Sequence, residues 1–169
     1  MKIVKVYKES MPDVQLIGRR YTNEDRDESG TFARYWRQCF EERWPDMLKK
    51  CEGTPGVSGD LVGAMRMTGD GGFEYWIGAL LAPAAQAPEG FEAVAIPAGD
   101  IGVCWLYGND KNGELYGMEA SNLSMAAFAE QGWKYAEKGW FFERYNHPRF
   151  TTPDEKGNVI LDICAYLVE

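Results

Sequence analysis

A glutamate and a tyrosine two residues apart, Glu143 and Tyr145, lie inside the stretch GWFFERYNHPRF, among Trp140, Phe141, Phe142 and Phe150. If WFFERY is a strand, side chains alternate, so Phe141, Glu143 and Tyr145 share one face while Phe142 and Arg144 share the other. An ionised carboxylate is costly to bury without a partner. In aromatic company it can hold a cation, each cation–π contact adding ~0.5–2 kcal/mol, or it can move a proton as a general acid or base. Poor solvation would raise its pKa in either role. Alternation alone leaves Glu143 on the solvent face or in a pocket; its neighbours Phe141 and Tyr145 favour the pocket. There the Tyr145 hydroxyl would reach the ligand or Glu143 itself.

Other aromatic residues could line such a pocket. Trp36 and Phe40, four apart, fall on one helix face, as core packing or as pocket lining. In FEYWIG, Glu74 and Trp76 share one strand face; Phe73, Tyr75 and Ile77 share the other and point inward. That places Trp76 at an edge or rim. Trp105 and Tyr107 form the matching same-face pair later in the chain, and either could stack on a ligand. Trp140 starts the Glu143 strand and packs beneath it. His147, followed by Pro148, has no companion nucleophile or acid and reads as a surface residue. GDGG at 69–72 lacks the lysine and following helix of a phosphate loop and reads as a hairpin turn.

Cys39, Cys51, Cys104 and Cys164 form no CxxC pair, and His147 is the single histidine, so neither a structural zinc nor any cofactor is expected. Free thiols in a reducing compartment account for them. Net charge of −8 with scattered basic residues argues against direct nucleic-acid binding. The start MKIVKVYKESMPDV has no long apolar core, and no run reaches the ~18 apolar residues that span a bilayer. No membrane partner is expected, and a cytoplasmic location is. At 169 residues, the chain can bury roughly two-thirds of its unfolded surface as one domain or two fused halves.

The elements that must position these residues come in a repeated order. IVKVYKES and DVQLIGRRYTN are strand material joined near Pro12-Asp13, and the charged loop NEDRDESG follows. TFARYWRQCFEERW has Phe32, Tyr35, Trp36, Cys39, Phe40 and Trp44 at helical spacing, with Ser29 or Thr31 as N-cap. Pro45 cannot continue that helix. LVGAMRMT and FEYWIGALLA then form a hairpin. After PAAQAPEG the order recurs: FEAVAIPAGDIGVCWLYG is strand around Pro97, SNLSMAAFAEQGWKYAEKG is helical through Leu123, Phe128 and Trp133, and WFFERYNHPRF and VILDICAYLV are strands around the turn TTPDEKGN. The pattern predicts one α+β domain over 1–169 built from two βαββ units, the first repeat at 1–83, a linker at 84–90 and the second repeat at 91–169. Two antiparallel sheet halves would pair around a pseudo-twofold axis, leaving a central ligand cleft.

Along nearly its whole length the sequence resembles the GyrI-like small-molecule-binding domains, the effector-binding domains of AraC- and MerR-type bacterial regulators. The matching positions are Tyr75-Trp76-Ile77-Gly78, Pro88-Glu89-Gly90, Ile96-Pro97-Ala98-Gly99, and Glu143-Arg144-Tyr145 followed by NVILDICAYLV. The resemblance implies a duplicated βαββ fold and a pocket for hydrophobic, often cationic or aromatic compounds, with the matching glutamate in it. Lacking a helix-turn-helix segment, the chain reads as a stand-alone effector domain. The expected ligand-binding set is Glu143, Tyr145, Trp36, Phe40, Tyr75, Trp105, Tyr107 and Trp140. Some stand-alone relatives hydrolyse cyclopropane-containing electrophiles; the resemblance then makes Glu143 the general acid or base and Tyr145 the group that orients water. Other members inhibit a topoisomerase, which would make a protein the partner.

Overall fold

Two prolines decide which strands pair. In the computed structural model, which describes residues 1–168, β1 (Lys2–Met11) stops at Pro12 and β2 starts at Val14 (Val14–Tyr21). Likewise β5 (Glu92–Ile96) stops at Pro97 and β6 (Gly99–Asn109) follows. Proline has no amide proton for a sheet ladder, so each strand ends there, and the next strand joins a different set of neighbours. β1 pairs antiparallel with β6, not with β2, and β5 pairs antiparallel with β2, not with β6.

The chain thus forms two compact units, Met1–Met11 with Gly99–Glu169, and Pro12–Ala98. These differ from the sequence halves 1–83 and 91–169, because each half gives its first strand to the other unit. The junctions carry equivalent side-chain bonds. Ser10 Oγ donates to Asp100 Oδ1 at 2.6 Å, and the Ala98 amide donates to Asp13 Oδ1 at 2.8 Å. The fold is α+β with antiparallel strands throughout, as the repeated element order predicts.

In the first unit the strand order is β1-β6-β8-β7, with β7 at Phe141–Arg144 and β8 at Asn158–Tyr166. Helix α3 (Met118–Glu130) packs on one face, where Ala120 and Phe128 meet Cys104, Leu106, Leu161 and Ile163. Gly102 admits the Phe128 ring; a Cβ there would stand 3.0 Å from it. The helix runs earlier than its apolar spacing predicts. Gly132, at φ +76, terminates it, so Trp133 lies outside, and Leu115, fully buried ahead of α3, supplies an anchor the periodicity missed.

In the second unit the order is β3-β4-β2-β5, with β3 at Leu61–Met67 and β4 at Phe73–Leu81. Helix α1 (Ala33–Glu41) and the short α2 (Trp44–Leu48) bring Phe32, Cys39, Trp44 and Leu48 onto Ile17, Tyr75, Ile77 and Ala79. Pro45 lies in the first turn of α2, which opens at Trp44, and Arg43 takes the left-handed conformation at φ 58 to break the two helices apart. Neither Ser29 nor Thr31 is the N-cap of α1. That position is Phe32, while Asp27 draws Thr31 and Ser29 into the preceding loop. The four cysteines are free thiols, three of them buried. Among the described residues no helix is long and apolar enough to cross a membrane.

Candidate functional site around Glu143

Register on β8 fixes what Glu143 faces. The pairs are Phe141 with Ala165, Phe142 with Cys164, Glu143 with Ile163, and Arg144 with Asp162. Ile163 belongs to the α3-facing side, so Glu143 and Phe141 lie on that side, as strand alternation predicts. Phe141, Tyr145 and Phe150 pack against the same apolar cluster, and Tyr145 meets Phe150 edge-on at 4.8 Å between ring centres.

Tyr145 donates its hydroxyl proton to Glu143 Oε2 at 2.6 Å. No Lys, Arg or His among the described residues forms an ion pair with Glu143. Glu143 is only partly exposed, and the protein around its carboxyl pushes the pKa from 4.5 to about 7 by desolvation; the Tyr145 bond acts in the opposite direction. Tyr116, just before α3, is raised for the same first reason, with the Asp110 and Glu143 carboxylates adding to it. Near neutral pH the pair can therefore accept a cation or exchange a proton.

Arg144, on the opposite face, is fully compensated. Its Nε donates to Asp162 Oδ2 at 3.0 Å, and Nη1 and Nη2 grip Glu9 Oε1 and Oε2 at 3.0 and 3.1 Å. Asp162 has no exposed surface and also receives Arg149, whose Nη2 stands 2.6 Å from Oδ2. This four-membered network escapes a search for aromatic pocket residues. Its signal in the sequence is the single acid in VILDICAYLV, a charge that an interior strand must neutralise.

The remaining candidates divide between the two units. Trp105 pairs with Asp162 and so lies on the Arg144 face, opposite Glu143. Lys5 Nζ sits 4.7 Å and the Arg149 guanidinium 4.2 Å from its ring centre. Tyr107 is on that face too, donating to Asp154 at 2.6 Å and accepting from Asn158 at 2.9 Å. Trp140 is buried directly before β7. In the other unit, Trp36 Nε1 donates to the Tyr75 hydroxyl at 2.8 Å, and Tyr75 stacks on Phe32 with ring centres 4.2 Å apart. Phe40 is 61% exposed, its ring 6.3 Å from Trp36. Trp76 is not at a rim: it is 3% exposed and donates to Glu74 Oε2 at 3.1 Å, because its face of β4 is covered as well.

No family model and no curated protein matches this sequence. Solved structures do match over almost the entire chain. One is a candidate bacterial transcription regulation protein from Staphylococcus aureus MU50, at 15% identity and TM-score 0.69, with 98% of this chain and 99% of that one covered. Another is SAV2435 bound to tetraphenylphosphonium, at 13% identity, TM-score 0.72 and coverage of 98% and 94%. A third is the EcmrR C-terminal domain, at 10% identity, TM-score 0.62 and coverage of 100% and 99%. At such identities the likeness establishes a shared fold.

Proposed function

We propose that this chain is a small-molecule-binding protein of the GyrI-like effector-binding type, and that its ligand is a hydrophobic, aromatic cation held by Glu143. The observation that carries this reading is a strand carboxylate on the same face as Phe141, hydrogen-bonded by Tyr145 and with no ion-pair partner among the described residues. An uncompensated carboxylate in poorly solvated surroundings costs stability, and a bound cation recovers that cost. The structural likeness to SAV2435, which was solved with an aromatic cation, supports the same ligand class.

Titration with tetraphenylphosphonium, read through tryptophan fluorescence, tests the proposal. The wild type binds, and Glu143→Gln weakens binding at pH 8 at least tenfold. Because Glu143 titrates at about 7, wild-type affinity falls below that pH, approaching tenfold per unit, and cation uptake at neutral pH releases protons. Equal affinity of wild type and Glu143→Gln at pH 8 overturns the charge role.

The same pKa favours one second reading. A carboxyl that titrates near 7 serves as a general acid or base at neutral pH, and an aromatic pocket suits strained-ring electrophiles. Turnover of a cyclopropane-containing electrophile that is lost in Glu143→Gln while binding persists would establish hydrolysis over simple capture.

A further inference from the structure

The ion network behind β7 brackets the Glu143–Tyr145 pair in sequence. Arg144 precedes Tyr145 directly and Arg149 follows it by four residues. Both bond to the same buried carboxylate, Asp162. Tyr145 itself lies just past β7, whose last paired residue is Arg144. Side-chain anchors stand on either flank of it. We propose that Asp162, acting through Arg144 and Arg149, is a positioning residue that holds the segment 144–149 at two points. It thereby keeps the Tyr145 hydroxyl on Glu143 and sets the proton affinity, and so the cation affinity, of that carboxyl. This inference rests on Glu143 as the ligand-binding group.

The geometry supports a rigid anchor. Arg144 spans from Asp162 on β8 to Glu9 on β1, using both ends of its planar guanidinium. Arg149 takes both Asp162 oxygens, at 2.6 and 3.3 Å, while its carbonyl accepts the Ile160 amide at 3.0 Å. Between the anchors the Phe150 amide bonds back to the Asn146 carbonyl, which places the Phe150 ring edge-on against Tyr145. A hydrogen bond to an ionised carboxylate favours the charged form, so any loosening of Tyr145 raises the pH at which Glu143 ionises. Glu143 and Asp110 both act electrostatically on Tyr116, which stands near Glu143 just before α3. Exposed His147 lies within the anchored segment, so the experiment uses a His147→Gln background.

In that background, the pH midpoint of Glu143 is read twice: from the carboxyl NMR shift without ligand, and from the pH profile of tetraphenylphosphonium binding. Tyr145→Phe raises the midpoint by about 0.5 pH unit or more. Arg149→Met raises it comparably, and the double variant goes no further, since both changes remove one hydrogen bond. Arg149→Lys keeps the charge but loses the two-pronged grip, and it shifts the midpoint as well. If Arg149→Lys restores the wild-type midpoint, or if the Tyr145 and Arg149 shifts add, charge rather than positioning is at work and the inference falls. Should Arg149→Met not fold, Arg149→Lys decides alone. A ligand-free NMR midpoint that moves as stated, with no tetraphenylphosphonium binding by the wild type, upholds the positioning and overturns the ligand reading instead.

Discussion

Two glutamates sit in similar aromatic stretches, Glu74 in FEYW and Glu143 in FFERY, one in each unit. Their surroundings are opposite. Glu74 has Arg66 directly across on β3 with its Nε at 3.1 Å, Arg20 at 3.7 Å and the Trp76 indole at 3.1 Å. Glu143 has Ile163 across on β8 and, among the described residues, a hydrogen bond from the Tyr145 hydroxyl and no ion pair. The cross-strand partner, rather than the flanking residues, decides whether a strand carboxylate is part of the scaffold or free for a ligand. Glu143 is left uncompensated beside Arg144, whose guanidinium bonds Asp162 and Glu9, so among the described residues ion pairs reach one face of β7 and not the other.

The most disruptive way to probe this contrast is on the compensated side. Asp162→Ala leaves Arg144 and Arg149 without their shared carboxylate, and urea denaturation should show a loss of about 4 kcal/mol. Arg66→Met comes next. It turns the surroundings of Glu74 toward those of Glu143, with an expected loss of about 2–3 kcal/mol in the same urea denaturation.

Glu143→Gln should change stability with the opposite sign. A folded-state carboxyl raised above its unfolded value contributes fully at pH below the unfolded value, near 4.5, and loses that contribution as pH rises through about 7. At pH 8 the glutamine variant is therefore the more stable by about 2 kcal/mol after discounting for partial solvent access. Near pH 4.5 the two proteins converge. A Glu143→Gln protein less stable than wild type at pH 8 would place an unseen stabilising partner on the carboxylate. Phe40→Ala has the smallest effect: at 61% exposure, melting should register under about 0.5 kcal/mol, so any larger change in tetraphenylphosphonium affinity marks the ring as a ligand contact.

The sequence discloses local patterns here better than long-range partners. The helical spacing around Trp36 and Cys39 and the GDGG hairpin follow from propensities of a few neighbouring residues and are where those propensities put them, while the break expected at Pro45 falls just before it, between Glu41 and Trp44. The common face of Phe141 and Glu143 follows from alternation in the same way. What Glu143 meets on that face does not, because Ile163 lies 20 positions away and its registration depends on the whole β8 ladder. Trp76 departs from its expected rim position for a related reason. Alternation assigns it a face, but whether that face is covered is a tertiary matter. The Asp162 network joins residues from three strands and a loop, and only the lone acid in an apolar run hints at it locally.

The exchange of first strands at Pro12 and Pro97 has a consequence for how the chain acquires its structure. Lys2 pairs with Tyr107 and Val14 with Ile96, so neither unit can close its sheet until residues far apart in sequence have met. Such long-range pairing slows folding. It also makes the two sequence halves mutually dependent. Cut within 84–90 and separated, each half would present a sheet edge awaiting the other's first strand, and mixing the two should restore the fold. In assembly terms the molecule is a strand-swapped dimer whose partners have been tied into one chain.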